Sequence, residues 1–443
     1  MKQLPKVLAF VGIYTISAGD SVRYALSWAT WGVLIAAITA TSAWFVFKGS
    51  AKPTFALFPK LLWALLALMP LSLSWSNYPL FTLVGILGTA MATMFAMFLI
   101  KQFSWRELLN IFASSMRFIL WLSIAFELFA ALIIRGPIDP IFKDFQGSYQ
   151  TVSAYRWTVG KILTGHDRIQ GIVGNANLLS YVALVGLILF LVQYASGQVK
   201  RWVALSSIIL ALFCIYMTRS ANIMIALGAV VVAAIVLIIS EGRDREGRHK
   251  IYRVTWTAAA CALFTAALYS GELAVLIGKN PDLTGRSDLW AAVWGLISQR
   301  PIQGWGWISY WMPGAAPLDT LFVQGGVTYY QAHNIFLDFW LQLGLVGLLI
   351  FIGLLATTFV RLWQIALRST NPVYLWPIFI LIGLLAQNLF ESRLIVELGW
   401  VLLMILTIKS RQPLDADAES VKLTKVEALK VLGSRLIGRG WKH

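Results

Sequence analysis

The sequence predicts an all-α, polytopic transmembrane bundle with a long extracytoplasmic loop that carries short amphipathic helices. Three observations predict it. Hydrophobic residues make up 58% of the chain and charged residues 13%, whereas a water-soluble domain carries roughly a quarter charged residues. Apolar runs long enough to cross a bilayer as helices recur along the whole chain, and they divide it into about twelve spans. Most of its 36 lysines and arginines fall in alternate connections between those runs, as in membrane proteins whose cytoplasmic loops are basic.

The predicted spans are, in order, Val7–Ala18, Tyr24–Phe47, Phe58–Ser74, Leu80–Ile100, Leu108–Ile134, Asn177–Tyr194, Trp202–Met217, Asn222–Ile239, Tyr252–Leu273, Asn334–Val360, Val373–Leu389 and Leu394–Ile408. With the N-terminus inside, each inside connection is basic. Lys48, Lys52 and Lys60 follow the second span, Lys101 and Arg106 the fourth, and Lys200 and Arg201 the sixth. Arg243, Arg245, Arg248, Lys250 and Arg253 surround the turn after the eighth, and Arg361 and Arg368 follow the tenth. Both ends are then cytoplasmic. The opening MKQLPKVLAFVGIYTISAGD has the layout of a signal peptide and is read as a retained first span. Residues 1–409 form the bundle, and 410–443 form a basic cytoplasmic tail. In the tail Leu429, Leu432 and Leu436 share one side, as either a lipid-surface helix or a poorly ordered segment.

The formal charge of +16 follows from this topology and from contact with anionic lipid headgroups. No stretch interleaves aromatic and basic residues on a soluble surface, so nucleic acid is not an expected partner. Cys214 and Cys261 lie inside predicted spans, and no Cys/His group has metal-ligand spacing. Neither disulfide, metal nor cofactor is expected.

Two outside segments, 135–176 and 271–332, are longer than turns require, and long ordered loops generally serve a function. In the second, Ser287 is a predicted N-cap, Asp288 suits a first turn, and Trp290, Trp294 and Ile297 recur at helical spacing. Pro301 ends that helix, and Trp305, Trp307 and Trp311 follow among glycines. The pattern predicts an amphipathic helix lying on the outer membrane surface.

Three short motifs share one geometry. TRSAN puts Arg219 and Ser220 at the outer start of the eighth span. TGRSDLW puts Arg286 and Ser287 at the start of the loop helix, and QAHNIF puts His333 and Asn334 at the outer start of the tenth span. In each, a cationic or protonatable residue precedes a residue able to cap a helix. Helix starts carry free N–H groups and partial positive charge and so favour anions. If the three starts converge, they form a donor-rich pocket suited to a phosphate or diphosphate. Singly, Arg219 is equally an anchor at the headgroups, Arg286 a loop arginine and His333 an interface histidine.

Gln331 precedes His333 in the same motif. In GHDRIQGIVGNANLLS, Arg168 is a further outside cation, and Asn175 and Asn177 flank the start of the sixth span, where either serves as N-cap or ligand contact. His166 reads as a solvated loop residue, while His249 and His443 lie in cytoplasmic segments. Ionisable residues in or beside spans usually face a partner or a cavity; these are Arg117, Glu127, Glu391, Arg393 and Glu397. Glu391 and Arg393, at the turn between the last two spans, are placed in the same pocket. Arg117 and Glu127 lie about 15 Å apart along one helix and do not pair.

The segments RIQGIVGNANLLS, TRSAN, LTGRSDLWAAVWGLISQRPIQGWGW, YYQAHNIFLDFWLQLGLVGL and NLFES, in this order and placement, resemble the O-antigen ligase and polymerase superfamily of bacterial envelope glycosyltransferases. The resemblance runs from Arg168 to the last span. The first 130 residues match only as a row of spans, and Ala176 stands where the family often has proline. The resemblance implies metal-independent transfer of a glycan from a polyprenyl diphosphate carrier to a glycan or glycolipid acceptor, at the outer face of the bacterial cytoplasmic membrane. Its roles for two arginines on the diphosphate and a histidine acting on the acceptor fall on Arg219, Arg286 and His333. The chemistry agrees with the residues. Guanidinium forks match phosphate oxygens, charge develops on a departing diphosphate, and an imidazole can take a hydroxyl proton near neutral pH. Ligase and polymerase share this chemistry. A transporter or flippase for a lipid-linked glycan is the alternative class, and it would place ionisable residues and broken helices at the midplane.

Overall fold

The computed structural model describes residues 3–48, 54–142, 156–165, 167–268, 286–324 and 326–414. The tail pattern at Leu429–Leu436, His166, His443 and the stretch 271–285 lie outside the described residues.

Each predicted span overlaps at least one helix among the described residues, with the second divided between two helices and the ninth described only as far as Leu268. The helices are α1 (Gln3–Ser17), α2 (Gly19–Leu26), α3 (Trp28–Phe47), α4 (Lys60–Leu71), α5 (Pro79–Gln102), α6 (Trp105–Phe129), α7 (Ala176–Ala195), α8 (Arg201–Thr218), α9 (Ala221–Ser240), α10 (Arg245–Leu268), α11 (Arg286–Gln299), α12 (Ile335–Arg368), α13 (Trp376–Gln387) and α14 (Glu397–Lys409). The only strands among the described residues are β1 (Val323–Gln324) and β2 (Val327–Thr328), a short antiparallel pair. The chain is an all-α polytopic membrane protein.

Among the described residues, seven helices are long and apolar enough to cross a membrane: α3, α5, α6 with the π-helical turn that extends it to Ile134, α7, α8, α9 and α12. The other predicted spans meet shorter or more polar helices. α1 has 15 residues, α4 and α13 have 12 each, and α14 has 13. α10 opens on the charged run REGRHK. The predicted second span is broken, because Ser27 takes φ 119° between α2 and α3. There its side chain accepts from Thr30 N and starts the second helix afresh.

Two helices form the centre. α7 is buried over 89% of its most apolar window, and every residue of α14 after Glu397 is buried. Their sides are apolar all round, which suits a helix surrounded by other helices. α7 packs on α6, α8 and α13, and α14 packs on α5. α3 lies against α5, α4 against α12, and α9 against α13.

Hydrogen bonds tie the loop after α11 into a break in α12. Gly344 takes φ 65° inside α12. Trp305 N donates to Leu341 O at 2.9 Å, Gly306 N to Gln342 O at 2.9 Å, and Leu345 N to Pro301 O at 2.9 Å. A Cβ on Gly344 would lie 1.9 Å from Ile302 O, so only glycine lets the loop backbone approach this closely. Gln342 completes the join: its Oε1 accepts from Ile308 N and Ser309 N, each at 3.0 Å. The first long loop is pinned in a comparable way. Glu127 Oε1 accepts from Thr158 Oγ1 at 2.7 Å, Gln170 N at 2.8 Å and Gly171 N at 2.7 Å. Arg117 bonds elsewhere, to Ser207 Oγ at 2.6 Å and Gln193 Oε1 at 2.9 Å, so the two do not pair.

Candidate active site at one end of the bundle

The starts of α7, α11 and α12 meet at one end of the bundle through Glu391, and the start of α9 joins them through the bond from Ser220 to Asn177. This carboxylate lies in the turn between α13 and α14 and is 1% exposed. One oxygen, Oε1, accepts from Asn177 Nδ2 at 3.2 Å and lies 4.0 Å from Arg286 Nη2. The other, Oε2, accepts from Gln331 Nε2 at 3.1 Å and lies 3.2 Å from His333 Nδ1. The imidazole is within ion-pair distance but is not aligned for a hydrogen bond, and its Nδ1 has no hydrogen-bond partner among the described residues. Burial alone would raise the Glu391 carboxyl. The charge and proximity of His333, with Arg393 and Arg286, outweigh it and hold the carboxyl down at about 2. A buried carboxylate that keeps its charge needs such compensation.

Local sequence explains how each side chain arrives. Asn334 caps α12 by accepting from Phe336 N at 3.0 Å and Leu337 N at 3.2 Å. His333, immediately before it, takes φ 49°, an uncommon conformation for a residue other than glycine. Its ring packs edge-on against Tyr329, with centroids 5.3 Å apart. Gln331 Oε1 accepts from Ser392 N at 3.0 Å, locking the α12 entry to the turn that carries Glu391. Asp338, in the first turn of α12, accepts from Ala332 N at 3.0 Å and from Ser392 Oγ. α11 buries Leu289, Val293, Leu296 and Ile297. Trp290 Nε1 donates to Ala332 O at 2.9 Å, which brings Arg286 over the Phe390 ring at 5.8 Å.

Two expectations about these starts change. Ser287 lies within α11, after Arg286, and so is not its N-cap. Ser220 precedes α9 without a side-chain cap bond; its hydroxyl is drawn sideways to Asn177 Oδ1, at 3.2 Å, and to Asn222 Oδ1. Of the predicted stripe, Ile297 is buried and Trp290 partly buried against the same cluster, while Trp294 turns away. Trp294 is exposed and meets Trp340 edge-on, and the leucine side does the packing.

The structure brings together Asn177, Arg286, Gln331, His333 and Glu391. Asn334 and Asn175 act as helix caps, and Asn175 accepts from Asn177 N at 2.8 Å and Leu178 N at 3.1 Å. Arg168 joins through Asn177 Oδ1 and donates to Thr218 O at 2.6 Å. Arg219 does not reach Glu391. It is exposed, sits at φ 47° between α8 and α9, and donates to Gly165 O. Burial tends to discharge Arg393, but Tyr310, Glu391 and Glu397 together raise its pKa. Sequence reasoning passed over Asp338, whose signal was an acid inside an apolar run, and Asp20, Arg23 and Tyr310, which carry no motif.

Fold and site define an integral membrane protein with a guanidinium–carboxylate–imidazole centre at one end of its bundle, a combination able to bind an anion and move a proton. Residues 206–352 match the O-antigen ligase family model. The chain is also 24% identical over 206 residues to the exopolysaccharide production protein ExoQ of Rhizobium meliloti (strain 1021), covering 44% of this chain and 47% of that protein. The chain thus matches about half the length of this curated relative. Together the two findings support the O-antigen ligase superfamily as the one the chain resembles.

Proposed function

We propose that the protein is a glycan ligase of the bacterial inner membrane. In this reading it transfers a polyprenyl-diphosphate-linked oligo- or polysaccharide to an acceptor hydroxyl at the outer face. The observation that carries the reading is Glu391, shared between Asn177, Gln331, His333 Nδ1 and Arg286. A carboxylate beside Nδ1 favours a proton there, leaving Nε2 as base and stabilising the imidazolium once formed. The acceptor oxygen attacks the anomeric carbon as the carbon–oxygen bond to the diphosphate breaks. The diphosphate leaves with the bonding electrons, the hydroxyl proton passes to His333, and attack opposite the leaving group inverts the centre. Arg286 neutralises the departing diphosphate, Arg219 adds positive charge from its outward position at the pocket's edge, and Arg168, Asn175, Asn177, Gln331, Asn334, Glu391 and Arg393 shape the pocket. The shorter helices complete a twelve-span path, both termini cytoplasmic.

A second reading, a polymerase of lipid-linked repeat units, uses the same chemistry with a second glycan as acceptor. It is favoured by the designation of the relative as an exopolysaccharide production protein. Purified protein in lipid nanodiscs, supplied with a polyprenyl-diphosphate oligosaccharide, candidate acceptors and a chelator, tests both. A single addition product supports the ligase and a product ladder the polymerase. No transfer to any acceptor, with intact carrier moved across the bilayer instead, would mark a transporter.

A further inference from the structure

Asp338 is a buried acid outside the chemistry of transfer. It lies in the first turn of α12 and is 0% exposed, beyond the reach of a substrate. What it touches is the chain on either side of the centre. Its Oδ2 accepts from Ala332 N at 3.0 Å and from the Ser392 hydroxyl. Ala332 is the residue before His333, and Ser392 is the residue after Glu391. One oxygen therefore joins the segment that carries the imidazole to the segment that carries its carboxylate.

Each neighbour is fixed at a second point. Ala332 O accepts from Trp290 Nε1 at 2.9 Å, a bond from the helix that begins with Arg286. Ser392 N donates to Gln331 Oε1 at 3.0 Å, and the same side-chain amide donates through Nε2 to Glu391 at 3.1 Å. Asn334, on the other side of His333, caps α12 and donates through Nδ2 to Leu389 O at 3.2 Å. His333 thus sits at φ 49° between two anchored residues. A residue other than glycine keeps such a conformation only where its surroundings over-determine it. The bond from Ala332 N to Asp338 is the anchor on the N-terminal side. Without it a buried N–H loses its partner, which is costly enough to drive local rearrangement. The imidazole is then free to leave its 3.2 Å approach to Glu391 Oε2. Arg286 is placed by different contacts, the packing of Leu289, Val293, Leu296 and Ile297 under α11.

We propose that Asp338 is a positioning residue for glycan transfer, and that its hydrogen-bonding oxygen, not its charge, sets His333 against Glu391. The inference rests on the glycan-transfer reading and deepens it, by adding a residue that acts on the base without meeting donor or acceptor. One accepting oxygen is all that the two bonds require, and asparagine carries one.

The test compares the purified full chain in nanodiscs with its Asp338→Ala and Asp338→Asn variants. Transfer is measured at saturating and limiting lipid-linked oligosaccharide. Rates are normalised to the number of donor-binding sites, so a smaller folded fraction does not count as slower chemistry. In parallel, acylation of His333 by diethyl pyrocarbonate is followed by peptide mass spectrometry. Asp338→Ala is expected to lower the saturated rate about a hundredfold, the cost of a base displaced by about 1 Å, and to leave KM for donor unchanged. Asp338→Asn is expected to stay within about fivefold of wild type. His333, 17% exposed at the side chain, should acylate several-fold faster in Asp338→Ala and at the wild-type rate in Asp338→Asn. Transfer by Asp338→Ala at the wild-type rate per site would overturn the inference. An Asp338→Asn loss as large as that of Asp338→Ala would overturn it in favour of the charge, and a raised KM with an unchanged saturated rate in favour of a donor-site role. If Asp338→Ala does not fold, Ser392→Ala removes one of the same two bonds and is expected to cost about tenfold in saturated rate; no loss there would overturn the inference. Absence of transfer by wild type, with His333 acylation still set by Asp338, would defeat the glycan-transfer reading and leave the positioning of His333 standing.

Discussion

The junction at Arg219 and the junction at His333 are built alike and end differently. Each is a cationic or protonatable residue held in the left-handed region, φ 47° and φ 49°, directly before the residue that precedes a long helix. At the second, Asn334 caps α12 and His333 turns inward, 17% exposed at the side chain, to a buried carboxylate. At the first, Ser220 makes no cap bond, and Arg219 turns outward to a loop carbonyl. The same local backbone delivers a side chain to the site only when a tertiary partner waits for it. Glu391 is that partner for one junction and stands too far from the other.

The largest effects should fall on the His333 side of this comparison. His333→Ala is expected to lower transfer about a thousandfold, measured as initial rate with lipid-linked donor. Arg286→Ala should cost about a hundredfold or more. Arg219→Ala, judged from its outward position, should cost about tenfold, and equal losses at the two arginines would show that Arg219 swings onto the diphosphate when donor binds.

Acid stability sharpens the same contrast. The Glu391 carboxyl is held at about 2 against an ordinary value of 4.5. Its ionised form therefore stabilises the fold above pH 4.5, and that contribution disappears as pH falls toward 2. Thermal unfolding in detergent should show wild type more stable than Glu391→Gln near neutral pH, with the gap closing below pH 4.5. A constant gap would mean that the carboxylate charge is not what matters. The smallest difference concerns the caps. Asn334→Ala should destabilise by about 1 kcal/mol through the lost cap, whereas Ser220→Ala removes no cap bond and should cost only what its sideways bonds to Asn177 and Asn222 contribute, also about 1 kcal/mol.

Much of this was legible in the sequence for physical reasons. Apolar runs locate helices because only helices satisfy the backbone within lipid. Asparagine before such a run locates helix starts, as at Asn175 and Asn334, because its side chain satisfies free N–H groups. The share of spans shorter than a bilayer was less legible, since the breaks at Ser27 and Gly344 depend on what packs against them. Glu391 was visible as a rare charge beside a span but not as the hub. Its partners Asn177 and Gln331 come from distant parts of the chain, and nothing in local pattern pairs them. The Arg23–Glu397 contact joins the second helix to the last, and no motif announces it.

The central claim is that a carrier diphosphate binds where the helix starts meet at Glu391. A cryo-electron microscopy map of the full chain in nanodiscs with bound polyprenyl diphosphate tests it most directly. Phosphate density against Arg286, with His333 Nε2 facing the open side of the pocket, is the predicted result. Phosphate density at the opposite end of α7, beside Lys200 and Arg201, would contradict it.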